Sequence, residues 1–131
     1  MTQDILVPTS VGELIDKITI LELKMRHIKD AAKLANVRVE LQALQDTFAP
    51  ILAKAPAEAP ALVDRLREIN GKLWVIEDDI RECERKKDFG ETFISLARAV
   101  YFTNDDRAAV KRELNVMLGS RFVEEKSYAA Y

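Results

Sequence analysis

Apolar residues recur at alternating three- and four-residue intervals in three separate stretches of this chain. Leu14, Ile18, Leu21, Met25 and Ile28 form the first. Leu34, Val37, Leu41, Leu44, Phe48 and Ile51 form the second, and Leu62, Leu66, Ile69, Leu73, Ile76, Ile80 and Cys83 the third. Such spacing keeps side chains on one stripe of an α-helix, the seam along which helices pack side by side. The pattern predicts an all-α fold: a helical bundle of about five helices, the first three long and antiparallel with coiled-coil-like packing. Stripes this regular supply more seam than one small bundle needs, so a homodimer is the expected assembly.

The punctuation between stripes sets the boundaries. Residues 1–10 read as an extended arm, with Ile5-Leu6-Val7 ahead of Pro8. A lone strand either lies on the bundle or pairs across a dimer. Ser10-Val11-Gly12-Glu13 has the form of a capping box, which starts helix one near Val11 and carries it to about Lys29. Asp30 is placed to cap helix two, expected to end near Phe48 before Pro50. Residues 49–60, with three prolines and five alanines, read as a connector, and Pro60 suits the opening of helix three. Asn70-Gly71 falls inside that third helix, yet the stripe keeps its phase across it. The helix should therefore continue to about Lys87, with Gly71 allowing close backbone approach. Asp88-Phe89-Gly90 marks a break, and helix four is expected from Glu91 to Phe102. Thr103-Asn104-Asp105-Asp106 offers N-caps for a fifth helix ending at Gly119. A C-terminal tail, residues 120–131, shows no period.

With 131 residues, the chain is long enough for one helical domain with a real core. Hydrophobic residues at 48% and charged residues at 32%, with only 4 Gly and 4 Pro, suit helices and argue against disorder. Lys and Arg number 20 against 22 acidic residues. So even a balance supplies no broad drive toward nucleic acid or an anionic membrane, and neither is an expected partner. Cys83, the single cysteine, lies on an apolar stripe and is expected to act as a small hydrophobe. The N-terminus lacks the features of a signal peptide, and no apolar run reaches the length of a membrane span. A cytoplasmic location is expected.

Two segments carry candidate chemistry. Asn70, Trp74, Glu77, Arg81 and Glu84 repeat the same spacing beside the core stripe of helix three. They either form a boundary stripe capped by Trp74 or hold a ligand, with Arg81 taking an anion. The stretch around Arg98, Tyr101, Asn104, Asp105, Arg107, Lys111, Arg112 and Asn115 groups cations near the expected start of helix five, where free amides suit a carboxylate or phosphate. Capping and ordinary salt bridges explain the same residues. Glu13 with Asp16, and Asp79 with Glu82, have the spacing of magnesium-binding carboxylate pairs, but 22 acidic residues produce such spacings by chance. His27, the sole histidine, is expected at a boundary or surface. No phosphate loop, Cys-x-x-Cys pair or nucleophile elbow occurs, and no metal or cofactor is expected.

The blocks VGELIDKITILELK (11–24), LANVRVEL (34–41), LWVIEDDIRECE (73–84), FISLARAVYFTNDDRAAVKRELN (93–115) and GS-x-x-VEEKSY (119–128) resemble a family of small bacterial proteins classed as a domain of unknown function. That resemblance implies an association with glycosyltransferases of surface-polysaccharide synthesis. Helix one is also similar to the first helix of helical chorismate mutases, which bind a dicarboxylate, although an arginine ahead of Ile15-Asp16 is missing here. Two functions stay open. The first is a non-enzymatic binding or assembly module, accessory to polysaccharide biosynthesis, with a glycosyltransferase as partner. The second is a small helical enzyme or ligand-binding protein for an anionic metabolite, a sugar nucleotide or dicarboxylate. There Arg81, Arg98, Arg107 and Lys111 would clamp the anion, with Trp74, Glu77, Tyr101, Asn104 and Asp105 completing the site. The second reading requires those groups to converge in one cleft.

Overall fold

The computed structural model describes residues 3–131, and among them the fold is all-helical. Four helices follow one another: α1 (Val11–His27), α2 (Ala31–Ala53), α3 (Ala59–Lys86) and α4 (Glu91–Met117). Their ends follow local chemistry. The Ser10 hydroxyl accepts the Glu13 amide at 3.1 Å, and an Asp30 carboxylate oxygen accepts the Lys33 amide at 3.4 Å. The Glu13 side chain turns away to Lys111, so only half of the capping box forms. Pro60 lies in the first turn of α3, where its missing N–H costs nothing. Gly119, at φ 67°, ends α4 while Ser120 donates back to the Asn115 carbonyl at 2.8 Å. Lys87 adopts the left-handed conformation after α3, with Asp88 donating to Cys83 in the same way.

The expected fifth helix is the second half of α4. Phe93, Leu96, Val100, Thr103, Arg107, Val110 and Leu114 keep alternating three- and four-residue spacing straight through the supposed junction. Two polar members, Thr103 and Arg107, conceal that stripe in the sequence. No Gly or Pro interrupts it, and Asp105 turns to Tyr131 and Lys126 instead of capping a helix. Amides at 104–107 are therefore spent inside α4 and offer no anion site. The Pro/Ala connector also shrinks to residues 54–58, because α2 runs through Pro50 to Ala53. A proline so near a helix end removes a single hydrogen bond.

Gly71 does not mark the close backbone approach that its place in α3 suggested. A Cβ on Gly71 would meet nothing within 4 Å, so no backbone approaches it. The close approach is at Gly12, where a Cβ would stand 2.7 Å from the Lys111 carbonyl oxygen and 2.9 Å from Asn115 Oδ1.

Packing ties α3 to α4 as an antiparallel hairpin, with α1 lying against both and α2 resting chiefly on α1. The expected side-by-side pairing of the second and third helices is thus replaced by α3 with α4. Gly12 donates to Asn115 at 2.6 Å, Glu13 pairs with Lys111 and Asp16 with Arg107, which sets α1 antiparallel to α4. Ile15, Ile18, Phe48, Val63, Leu66, Ile69, Val110 and Leu114 form the core, all but Val110 and Leu114 of α4 drawn from stripes or their flanks on α1, α2 and α3. Cys83 is buried and free. Among the described residues, no helix is long and apolar enough to cross a membrane.

Candidate functional site

Where α1 crosses the α3/α4 hairpin, a buried polar network replaces the apolar core. Asp16 of α1 is buried, and its carboxylate accepts from Arg107 Nε at 2.9 Å and from Arg107 Nη2 at 2.5 Å. Asn70 Nδ2 of α3 donates to the same carboxylate at 2.9 Å and to Thr19 Oγ1 at 2.8 Å. Thr19 in turn donates to the Asp16 carbonyl at 2.8 Å. Three helices are therefore joined through one carboxylate. Burial pushes the Asp16 carboxyl upward. Hydrogen bonds from Arg107 and Asn70, with the nearby charges of Arg107 and Lys111, outweigh it and hold the group below the usual carboxylate range. The hydrogen bond to Asp16 correspondingly raises Arg107 above its ordinary value despite desolvation.

Beside this network opens a cleft of about 550 Å³. Ile20 and Leu23 of α1 and Leu73 of α3 form apolar wall, and the half-buried Trp74 adds an aromatic surface. Polar groups come from Asn70, Glu77, Asp78 and Arg81 of α3 and from Asn104 and Arg107 of α4. Helical periodicity explains the meeting: Asn70, Trp74, Glu77 and Arg81 share one stripe, and Asn104 and Arg107 are one turn apart on the facing helix. His27, exposed at the end of α1, stacks on Trp74 with ring centroids 4.8 Å apart and planes 20° apart.

A second cleft, of about 800 Å³, adjoins the first and shares Asn104 and Arg107 with it. Its outer wall is the segment 120–131, which runs back along α4 as a strap. Glu124 reaches Lys111 at 3.3 Å, Glu125 receives Arg112 Nη1 at 2.6 Å, and Lys126 donates to the Asn104 carbonyl at 3.5 Å. Tyr131 donates to Asp105 and packs on Tyr101 and Phe102; that hydrogen bond pushes its hydroxyl up to about 12. The strap had no period to reveal it. Its signal is the charge order Glu124-Glu125-Lys126, complementary to Lys111, Arg112 and Asp105.

Of the residues singled out in the sequence, Trp74, Glu77, Arg81, Asn104 and Arg107 meet at the first cleft, and Tyr101 and Asp105 line the second with Asn104 and Arg107. Arg98 and Lys111 do not join them. Arg98 is exposed, its guanidinium 5.9 Å from the Phe102 ring centre. Lys111 is buried between Glu13 and Glu124, which neutralise it. Sequence reasoning overlooked Ile20, Leu23 and Asp78 as lining groups, and it noted Asp16 only for a metal-pair spacing that it put down to chance. Three of the four carboxylates of those pairs are engaged by cations: Glu13 by Lys111, Asp16 by Arg107, Glu82 by Arg85 and Lys86. Among the described residues, no three His, Cys, Asp or Glu side chains gather as metal ligands.

Of the cations at the first cleft, Arg107 is neutralised by Asp16, while Arg81 lies 3.9 Å from Glu77 on the open surface. The arrangement thus offers one available guanidinium, several hydrogen-bonding side chains and an apolar wall. No curated protein and no solved structure matches the chain. A family described as of unknown function (DUF6165) matches residues 5–131, and the chain belongs to it.

Proposed function

We propose that this protein is a non-enzymatic ligand-binding helical module. The observation that carries the reading is the meeting of two stripes, distant in sequence, at one cleft whose central arginine is held in place by a buried carboxylate. Such bracing fixes Arg107 without leaving its charge free, so Arg81 supplies the attraction for a single anionic group. Glu77, Asp78 and Asn104 suit hydroxyl groups, and Trp74 suits the apolar face of a ring. A hydroxyl-rich metabolite with a phosphate, of the sugar-nucleotide class, fits this set better than a dicarboxylate, because hydrogen-bonding side chains and an aromatic surface outnumber the cations at the cleft. The role beside surface-polysaccharide enzymes implied by the sequence resemblance agrees with such a ligand.

A thermal-shift panel of sugar nucleotides, dicarboxylates and nucleotides with magnesium tests the reading. A ligand at 100 times its dissociation constant adds about 2.7 kcal/mol of stability. Stabilisation by a sugar nucleotide, lost in Arg81→Ala and retained in Arg98→Ala, supports it. A flat panel, or a response confined to dicarboxylates, contradicts it.

A further inference from the structure

At the far end of the bundle from the polar cleft, two unpartnered apolar features are left over. One is the N-terminal arm, where Ile5, Leu6 and Val7 are 88%, 91% and 71% exposed. Three consecutive large hydrophobes projecting into water mark a segment that lacks its contact surface. The other is a groove of about 880 Å³ between the start of α3 and the end of α4, whose apolar lining is Ala61, Leu62, Ala109, Val116 and Met117, with Glu58, Arg112 and Glu113 completing it. Val116 on its rim is 67% exposed.

We propose that the arm of one copy of this chain lies in the α3/α4 groove of a second copy, the reciprocal pair making a two-fold dimer. Dimensions agree. From Ala109 to Met117 the helix rises about 12 Å, and an extended Ile5–Val7 segment covers about 10 Å. The strap lies between the arm's root and the chain's own groove and holds Arg112 at the groove's edge, so the groove of a second copy is the less obstructed one. Successive residues turn 100° about α4, so Arg107, Lys111 and Asn115, which receive α1, share one face. Asp105 and Arg112, which receive the strap, lie on the next face round, and Ala109 and Val116 on the one beyond. An arm leaving Ser10 beside the α1 face meets the strap before it meets the groove. Exchange of short arms between identical subunits is an economical route to a closed dimer.

Light scattering on the full chain, with Ile5→Asp/Val7→Asp and Val116→Asp variants, tests this. All three positions are exposed within one copy, so unchanged circular dichroism is expected and folding of the copy is not at stake, while Tm should fall only by what association adds. The wild type should have twice the monomer mass, and each variant the monomer mass. An equimolar mixture of the two variants should partly recover the dimer, because one arm and one groove remain intact in that pair. A monomeric wild type overturns the proposal, as does a dimer that persists in either variant. The outcome is independent of ligand binding at the polar cleft.

Discussion

Replacing the Asp16 carboxylate by an amide removes its charge and sets an NH2 group where Oδ2 accepts from Arg107 Nη2, leaving one oxygen for Asn70 and Arg107 Nε. Asp16→Asn should cost about 2–3 kcal/mol, below the usual range for a broken buried pair because Arg107 is partly exposed. Chemical denaturation measures that loss. The same group sets a pH dependence. Its folded pKa lies below the unfolded one, so its stabilisation is complete above the unfolded value near pH 4 and disappears as pH falls through the folded value. An acid titration should show a shallower stability loss in Asp16→Asn than in the wild type. Two glycines should respond in opposite directions. Gly12→Ala drives a methyl into the Lys111 carbonyl and should cost about 1–3 kcal/mol. Gly71→Ala fills open space within a helix and should gain up to about 1 kcal/mol. Sequence spacing placed Asp16 on a helix face but could not identify its partner, because Arg107 lies 91 residues away.

At the scale of elements, the apolar stripes made α1, α2 and α3 legible with little error, since burial of one helical face is what both the pattern and the packing express. The failure at 103–106 has a physical cause. Thr103 and Arg107 occupy core-stripe positions of α4 yet are polar, so the stripe looks broken where three helices share their hydrogen-bonding network. Proline separates the two possibilities. At Asp106 a new helix would accept proline in its first turn. Within the continuous α4, Asp106→Pro should instead lose about 3 kcal/mol or more, read as a lower denaturation midpoint. The shortened connector has a similar lesson: Pro50 sits near the end of α2, where the helix gives up one hydrogen bond without ending.

For the molecule as a whole, the two candidate segments were visible separately, and their convergence was not, because it depends on α3 turning back along α4 beneath α1. Charge counting also misjudged the cations. Lys111 and Arg107 read as anion ligands in the sequence, but carboxylates engage both, buried Asp16 for Arg107 and Glu13 with Glu124 for Lys111, leaving Arg81 at the cleft. The ligand proposed for this cleft is a hydroxyl-rich anionic metabolite, and Trp74, the only tryptophan in the chain, lines it. Titration of a sugar nucleotide followed by tryptophan fluorescence therefore reports directly on the cleft. The account predicts a saturable change in the wild type and at least about tenfold weaker binding in Arg81→Ala, the effect of losing one charge-assisted hydrogen bond. No change in the folded wild type, or equal affinity in Arg81→Ala, would contradict it.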